Sequence, residues 1–453
     1  MKNMNKVYFV NDTSDSSNWG CRATTNAFRK MIVESGFEIS NTLYLFSMEI
    51  EEKYIPNKKL RLIESYSNSM VQSIPKGRSV IQYLNRRFVR PNWDRVSGKI
   101  DVIPKCFAEF EPFARQVIAG EILQAENLSL KKCDLVVING EGSIYDRQRK
   151  GRMMLFIAYL AKQYFNKPCI LVNHTADVHE PIMAEIVSHV YPLLDNVVFR
   201  EPLSARACAN LIGEDNSTLA ADAAFTYRPT SNSSWSSIAA REGYFSIWPD
   251  SAVGFDPQKP YICVGGSSIY LRPDRPQYDP IPGFIKLCQA LQSIAPVVLT
   301  APCGTDEKIF RPIAKELNLP LIALTTPTQQ AVDILGNASA FVSGRWHPSI
   351  LALTGGTPIV TLTANTYKTQ SLIEQIGLDA PTFDALKLHE ETEAIVKLTR
   401  SYIQQGNSLR EKLRHRAREL SDLASENVRY LKNWQELNKV DFTPINLLDR
   451  ERV

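Results

Sequence analysis

One short stretch carries the clearest structural signal in the chain: Phe341-Val342-Ser343-Gly344-Arg345-Trp346-His347. Its apolar first half is typical of a buried strand, and its polar second half predicts a turn. Pro348 then opens an apolar helical pattern, which suits proline because the first turn of a helix needs no N–H from it. Gly355 and Gly356 end that pattern before another strand-like run. Strand, turn, helix and strand in this order predict a unit of a parallel α/β fold.

The same alternation covers most of the chain and falls into two series. Strands of the first series are predicted at residues 6–10, 39–46, 134–138, 169–172 and 196–199. Strands of the second series are predicted at residues 261–264, 297–300, 321–324, 340–343 and 359–362. Helical patterns lie between them, in the first series at residues 21–35, 106–125, 152–165 and 181–194. We therefore predict an α/β protein with two Rossmann-like domains that face a central cleft.

The two series also define the predicted domain organisation. Residues 1–227 form an N-terminal Rossmann-like domain, in which the pattern is basic and less regular at about 50–130 and indicates an insertion. A Ser- and Pro-rich linker follows at 228–259, and a second Rossmann-like domain at 260–390. Residues 391–453 are predicted to form a C-terminal helical tail, whose leucine stripe is typical of a face that packs on a core.

The bulk composition limits the class of protein. The chain has 453 residues, of which 44% are hydrophobic and 22% charged, and its net charge of +4 is too small to indicate a nucleic-acid partner. The insertion carries a basic cluster: Lys58, Lys59, Arg61, Lys76, Arg78, Arg86, Arg87, Arg90 and Arg95. A solvated surface is the favoured interpretation. The alternative is a patch for an anionic glycan, a lipid-linked acceptor or peripheral contact with a membrane.

The cysteines and the N-terminal sequence bear on the compartment. Eight cysteines are scattered along the chain and no pair has the close spacing of zinc ligands, so we expect reduced thiols and no metal site. Residues 1–6 lead directly into a strand-like run, unlike a signal peptide. We therefore predict a cytoplasmic protein, located at the inner face of the membrane if the basic cluster binds lipid. The oligomeric state stays open.

The Arg345-Trp346-His347 turn is the strongest candidate site. In open parallel sheets ligands bind at the carboxyl ends of strands, and a helix that begins there offers free N–H groups and a positive dipole end to a phosphate or carboxylate. Arg345 can bind either anion bidentately. His347 can act as a general acid or base near neutral pH. The alternative is that Arg345 forms a structural ion pair and His347 caps the helix.

Two cationic or titratable residues follow strands of the first series. Arg200 stands at the end of a predicted strand and should face the cleft, unless it forms an ion pair with Glu201 or Asp222. His174 also follows a predicted strand, although a lone histidine is more often a structural residue. Both are therefore candidate ligand contacts with a structural alternative.

Two glycine-containing turns add further candidates. Glu141 lies between Gly140 and Gly142 after a predicted buried strand, where its carboxylate could orient or deprotonate a hydroxyl group. Asn18 and Gly20 precede the first helix and could contact a phosphate or a sugar. For Asn18 the alternative is a helix cap, a position that asparagine favours.

Taken together, these segments resemble the polysaccharide pyruvyl transferase family. The segments that match the family pattern are, in chain order, Asn18-Trp19-Gly20, residues 134–142, Phe199-Arg200-Glu201-Pro202-Leu203-Ser204, Asp222-Ala223-Ala224-Phe225, Ser343-Gly344-Arg345-Trp346-His347, Gly356-Thr357-Pro358 and Tyr367-Lys368. The chain departs from the pattern at Cys21, where the family often has aspartate, and at Glu141, which splits a Gly-Gly pair.

The resemblance implies a fold like that of the GT-B glycosyltransferases, with phosphoenolpyruvate as donor substrate and neither cofactor nor metal. The implied reaction moves the pyruvyl group onto two hydroxyls of a sugar in a glycan or lipid-linked saccharide, forms a pyruvate ketal and releases phosphate. His347 is the expected general acid and Glu141 the expected base. The expected donor contacts are Arg345, Trp346, Arg200, Lys368 and His174, and the expected acceptor contacts are Asn18 and Gly20.

Two other functions fit the same sequence pattern. A nucleotide-sugar glycosyltransferase of similar architecture would also place a helix start at a phosphate, but it commonly carries an acidic residue on that helix to hold the ribose. The helical stretch Ile350-Leu351-Ala352-Leu353 has none. A glycan-binding protein without enzymatic activity is the second alternative, and the convergence of Arg, His and Lys at strand ends argues against it.

Overall fold

The computed structural model of the chain describes residues 4–45, 48, 52–53, 99–211, 217–230, 232–241, 244–245, 256, 258–271 and 278–437. The basic cluster predicted within residues 58–95 lies outside the described residues, as does the end of the predicted tail at 438–453.

The first domain is built on a sheet of six parallel strands. Their bounds are β1 Asn5–Asp12, β2 Phe37–Tyr44, β5 Leu135–Tyr145, β6 Cys169–Asp177, β7 Asn196–Phe199 and β8 Ser217–Leu219. A short antiparallel pair, β3 Glu52–Lys53 and β4 Lys99–Ile100, lies between β2 and β5 in the chain. The sheet order is β2-β1-β5-β6-β7-β8. Because the order reverses between β1 and β5, their carboxyl ends flank a crevice of the kind that binds ligands.

Helices cover both faces of this sheet. Their bounds are α1 Trp19–Glu34, α2 Phe110–Ile118, α3 Gln124–Lys132, α4 Arg149–Gln163, α5 Pro181–Val190 and α6 Pro202–Cys208. The single helix predicted over 106–125 is wrong: Gly120, with φ of 73°, ends α2, and α3 begins four residues later. Phe110 and Leu130 are buried in the first-domain core, so the end of the predicted insertion is part of that core.

The second domain is built on five parallel strands. Their bounds are β9 Ile262–Ser267, β10 Val297–Thr300, β11 Leu321–Ile322, β12 Ala340–Gly344 and β13 Ile359–Thr361, in the sheet order β11-β10-β9-β12-β13. The helices are α7 Asn232–Ala239, α8 Ile281–Gln292, α9 Gly304–Leu317, α10 Thr328–Asn337, α11 Trp346–Thr354 and α12 Lys368–Ile376. The strand order reverses between β9 and β12, so the crevice of this sheet lies at their carboxyl ends. The predicted fold class is confirmed.

The C-terminal helices connect the two domains. Helix α13, Leu388–Leu423, packs on the second domain and is interrupted at Gly406, which has φ of 56° and ψ of −135°. Helix α14, Arg429–Leu437, packs on the first domain, where Leu431 joins the core. Before α14, Asn427 accepts a hydrogen bond from the Asn173 N–H and donates one to the Ala221 carbonyl.

Helix α1 makes a second connection between the domains. Trp19, its first residue, is fully buried among core residues of the second domain. The indole N–H of Trp19 donates to the Leu324 carbonyl at 3.1 Å, and Arg22 donates to the Thr326 carbonyl at 2.9 Å. A buried aromatic side chain that crosses a domain boundary opposes the separation of the two sheets, because its removal would leave a large cavity.

Candidate active site

A cleft lies where the carboxyl ends of the two sheets face each other. Glu141 on β5 and Arg200 after β7 line it from the first domain. Arg345 after β12, His347 in the first turn of α11 and Lys368 at the start of α12 line it from the second. Its volume is about 240 Å³, below the roughly 300–1,000 Å³ of pockets that hold drug-sized ligands. The described walls therefore suit a small ligand.

Arg345 reaches the cleft from a fixed position. Its Nε and Nη2 donate to the two carboxylate oxygens of Asp306, at 2.8 and 2.6 Å, and its side chain is only 8% exposed. Burial raises the pKa of Asp306, although the neighbouring guanidinium opposes that rise. The structural ion pair considered from the sequence is thus present. Its effect is to hold the guanidinium rigid at the wall of the cleft.

Arg200 is held in a similar way by Asp222. Its Nη1 donates to Asp222 Oδ2 at 2.8 Å and its Nε donates to the Thr175 hydroxyl at 3.0 Å. The guanidinium also lies over the Trp346 ring, 5.0 Å from the centroid, at the distance of a cation–π contact. Of the two ion-pair partners considered from the sequence, the structure selects Asp222. The Nη2 group faces Gly142, where an added Cβ would lie 3.2 Å from it.

The Asp222 carboxylate joins both domains. Besides Arg200, it accepts hydrogen bonds from the Thr24 hydroxyl at 2.8 Å and from the Trp346 indole N–H at 2.9 Å. Burial by itself would raise the pKa of Asp222, but His347 and Arg200 outweigh burial and hold the pKa below its usual range. Asp222 therefore stays ionised and anchors the Trp346-His347 turn to the first domain.

His347 lies between a donor and an acceptor. Its Nε2 is 3.3 Å from Arg200 Nη1 and 3.3 Å from Asp222 Oδ2. A neutral ring can accept from Arg200, whereas a protonated ring can donate to Asp222, so both protonation states have a partner. The ring packs against Gly20, where an added Cβ would approach within 2.4 Å of it. Gly20 thus provides the space that lets His347 reach the cleft.

Lys368 is a buried cation beside the two arginines. Its Nζ donates to Asn365 Oδ1 at 2.5 Å, and the residue is 8% exposed. Burial, followed by repulsion from Arg200 and Arg345, lowers the pKa of Lys368 to about 7. The side chain can therefore gain or lose a proton near neutral pH.

Glu141 has an unusual backbone and a full set of polar neighbours. Its φ of 45° is rarely adopted by residues other than glycine, and such geometry is often found at functional sites. Oε1 accepts from the hydroxyls of Thr13, at 2.5 Å, and Thr25, at 3.3 Å, and the Cys21 thiol lies 3.4 Å from Oε2. Burial and the Glu141 carboxylate raise the pKa of Cys21, so Cys21 stays a thiol.

The remaining predicted contacts have different positions. Asn18 caps α1 by accepting from the backbone N–H groups of Gly20 and Cys21, and its side chain also lines the cleft. His174 is fully buried, with its ring nitrogens against the Val198 carbonyl and the Tyr191 hydroxyl. Burial lowers the pKa of His174 to about 3. The structure does not bring His174 to the cleft.

The site residues that were not singled out from the sequence include Asp306, Thr13 and Asn365. Asp306 lies in the first turn of α9, six residues after β10. His347 was predicted from the same kind of position, at a helix start that follows a strand. Thr13 directly follows β1. Asn365 holds Lys368 and also accepts from the Ser268 hydroxyl at 2.9 Å. A search of every strand end for polar residues, without the family pattern, would have found all three.

Two Rossmann-like domains, a cleft at their facing strand ends and a C-terminal helix that returns to the first domain define a GT-B-like protein whose cleft is lined by cationic side chains. The sequence profile of the polysaccharide pyruvyl transferase family matches residues 42–365. The chain therefore belongs to the polysaccharide pyruvyl transferase family, which makes it a transferase and implies a polysaccharide acceptor.

Solved structures support the fold at low sequence identity. A Listeria monocytogenes protein assigned as a UDP-N-acetylglucosamine 2-epimerase has a TM-score of 0.53 and 12% identity, with 96% of this chain and 97% of that chain covered. Arabidopsis thaliana UGT89C1, complexed with UDP-L-rhamnose, has a TM-score of 0.51 and 10% identity, with 96% and 99% covered. At these identities the likeness shows the fold alone.

Two further comparisons complete the description. A search of curated protein sequences finds no match. Within the described part of the chain, none of the helices combines the length and the apolarity that a bilayer-spanning segment requires.

Proposed function

We propose that this protein transfers the pyruvyl group of phosphoenolpyruvate to two hydroxyls of a saccharide, forming a pyruvate ketal and releasing phosphate. The supporting observation is the charge of the cleft. Among the described residues that line it, four are cationic, Lys150, Arg200, Arg345 and Lys368, and one is a carboxylate, Glu141. Arg200 and Arg345 are held from behind by Asp222 and Asp306, and the cationic side chains that line the cleft offer several donors to a small ligand with two anionic groups, such as phosphoenolpyruvate.

Two helix starts in the cleft can bind the anionic groups of phosphoenolpyruvate. Arg345 immediately precedes α11 and Lys368 is the first residue of α12, so each cation stands at the positive end of a nine-residue helix. We assign the phosphate and the carboxylate of the donor to these two helix starts and to Arg200, with Trp346 positioning Arg200 through its ring. No cofactor takes part in this scheme.

Two side chains serve the first addition step. His347 protonates the methylene carbon of the donor, because its ring can hold a proton against Asp222 and release it when Arg200 is its partner. Glu141 removes the proton of the attacking hydroxyl, for which its carboxylate is fixed by Thr13 and Thr25. We assign Asn18, whose side chain lines the same cleft, to contact with the acceptor.

A nucleotide-sugar glycosyltransferase is the alternative, and the GT-B-like fold is compatible with it. Helix α11 carries no carboxylate along its length, so it lacks the ribose contact expected from the sequence pattern. The volume of the described cleft also favours a donor smaller than a nucleotide sugar. A non-enzymatic glycan-binding role explains neither the strained Glu141 nor the buried Lys368.

The proposal is tested by incubating the protein with phosphoenolpyruvate and a panel of saccharides, both free and lipid-linked. We expect release of inorganic phosphate together with an acceptor whose mass rises by that of pyruvate less one water. Parallel reactions with UDP-sugars serve as the comparison. Turnover with a UDP-sugar and none with phosphoenolpyruvate would show that the alternative is correct.

A further inference from the structure

Lys368 differs from the other cations of the cleft in how it is held. Arg200 and Arg345 each pair with a buried carboxylate, whereas the Lys368 ammonium donates to the neutral amide oxygen of Asn365. A cation with a neutral partner gives up its proton more readily than one with a carboxylate partner. Arginine also stays charged at any pH that a protein tolerates. Lys368 is therefore better suited to proton transfer than either of these two arginines.

The charged groups that face Lys368 work in two directions. Arg200 and Arg345 disfavour the charged form of Lys368, while the Glu141 carboxylate favours it. Nζ also approaches the backbone of Gly142, where an added Cβ would lie 3.9 Å from it and 3.2 Å from Arg200 Nη2. The ammonium and a fixed guanidinium thus border the same small space, which an anionic group can enter.

We propose that Lys368 protonates the departing phosphate and then takes the proton of the second acceptor hydroxyl. This inference rests on the proposed function and assigns the second half of the reaction, whereas His347 and Glu141 serve the first half. In this second half Lys368 acts first as an acid and then as a base, so that a single side chain serves both proton transfers.

The step is balanced in atoms and electrons. After the first addition, the donor C2 carries one sugar oxygen and the phosphate oxygen. The C2–O bond to phosphate breaks, its electron pair stays on that oxygen, and the Lys368 ammonium protonates it. The second hydroxyl then forms its C–O bond to C2 and gives its proton to the neutral Lys368 amine. Hydrogen phosphate leaves, the ketal closes and Lys368 is again protonated.

A charge-conserving substitution distinguishes a role of Lys368 in donor binding from a role in proton transfer. Lys368→Arg keeps a cation for donor binding but cannot release a proton, so the affinity for phosphoenolpyruvate should stay close to that of the unaltered protein. Phosphate release should fall by about 10²-fold or more, the usual contribution of a general acid. Glu374→Gln, on the exposed face of the same helix, is the matched control and should retain full activity.

A reaction in D2O shows which half of the reaction the Lys368→Arg variant fails to complete. The acceptor is one that supports phosphate release by the unaltered protein. Lys368→Arg should still add the first hydroxyl of this acceptor to C2 of the donor and should reverse that addition. Unreacted phosphoenolpyruvate recovered from that reaction should therefore contain deuterium in its methylene group, as measured by mass spectrometry. Loss of both deuterium uptake and phosphate release, or near-normal phosphate release with an unchanged pH profile, would overturn the assignment to Lys368.

A binding experiment with phosphoenolpyruvate alone needs no acceptor. Calorimetry at pH 8 in buffers of different ionisation enthalpy should show net proton uptake on binding, because the anion restores the charge of Lys368. Uptake should vanish in Lys368→Arg and in Lys368→Met. Uptake that persists in both variants contradicts the inference. Absence of phosphate release by the unaltered protein with every acceptor contradicts instead the proposed function on which the inference rests.

Discussion

Gly20 shows how one missing side chain shapes the cleft. A methyl group at this position would lie 2.4 Å from the His347 ring, far inside van der Waals contact. Because the ring is also confined by Arg200 and Asp222, it cannot move aside without losing those partners. The contact lies between α1 of the first domain and α11 of the second, so Gly20 sets the distance at which the two helices meet.

Gly20→Ala should therefore impair turnover without unfolding the protein. We expect phosphate release to fall by about 10²-fold, close to the loss in His347→Ala, because the first change displaces and the second removes the side chain proposed as the general acid. The control is Gly304→Ala, since an added Cβ there meets nothing within 4 Å. Steady-state kinetics of the three variants provide the measurement. Normal turnover in His347→Ala would exclude His347 as the acid, and normal turnover in Gly20→Ala would contradict the confinement of its ring by Gly20.

Lys368 should cost stability as well as serve the reaction. Its pKa is lowered in the folded protein from 10.5 to about 7, so the unfolded chain binds the extra proton between these values. Stability is therefore reduced below about pH 7 and recovers as the pH rises toward 10.5. Lys368→Met should melt several degrees higher at pH 6 and show a smaller gain at pH 9. A melting temperature at pH 6 that is unchanged or lower would contradict this account.

The site residues were predictable where a strand end coincided with a polar side chain, and the exceptions have a physical cause. Arg345 and His347 follow β12 as expected. His174 satisfied the same rule only because the strand was expected to end at residue 172. Strand β6 continues to Asp177, so His174 lies within it and packs against Phe199 and Tyr191 in the core. The roles assigned to the cleft residues stay predictions.

Among the secondary-structure elements, α13 depends on one backbone conformation. At Gly406, φ of 56° with ψ of −135° is a combination that side chains strongly disfavour, and the chain changes direction there within a helix of 36 residues. The first part of α13 contacts α8 in the second domain, while the segment after α13 reaches the first domain. Gly406 therefore sets the path by which the C-terminal region returns.

Gly406→Ala should destabilise the protein by about 1–3 kcal/mol, the usual cost of a residue forced into such a conformation. Gly377→Asn is the control, because φ of 70° and ψ of 35° fall in the left-handed region that asparagine tolerates. Urea titrations of both variants measure the difference. Equal stabilities would mean that the chain at Gly406 relaxes to another conformation without loss.

The positions of the strands were predictable where a long run of apolar residues marked them in the sequence. The strands of both series appear at the predicted places, with ends that differ by a few residues. Strand β8, Ser217–Leu219, was missed because it is only three residues long and largely exposed, so no apolar run marks it. Strand β5 runs through the turn predicted at 139–142, since Glu141 interrupts the register with β6 without ending the strand.

For the whole molecule, Trp19 should decide whether the two domains unfold together. Trp19→Ala removes a fully buried ring from the interface and should cost about 3–5 kcal/mol. Because that ring belongs to α1 but lies in the core of the second domain, calorimetry should show one transition in the unaltered protein and two in the variant.

Phe156→Ala provides the comparison for Trp19→Ala. Phe156 is equally buried but lies within the first-domain core alone. Phe156→Ala should lower the melting temperature, but the two domains should still unfold in a single calorimetric transition. Separate transitions in Phe156→Ala, or a single one in Trp19→Ala, would contradict the role given to Trp19. The sequence alone did not reveal this coupling, since it depends on where α1 lies relative to a domain encoded more than 200 residues later.

The depth of the cleft has a consequence for the order in which the substrates bind and the products dissociate. Arg200 and Lys368 are 1% and 8% exposed, whereas Leu271, which lines the same cleft, is 55% exposed. A saccharide bound near Leu271 would cover the cations beneath it. Phosphoenolpyruvate should therefore bind first, the ketal product should dissociate before phosphate, and phosphate should compete with phosphoenolpyruvate but not with the saccharide. Product-inhibition patterns would reveal this compulsory sequence.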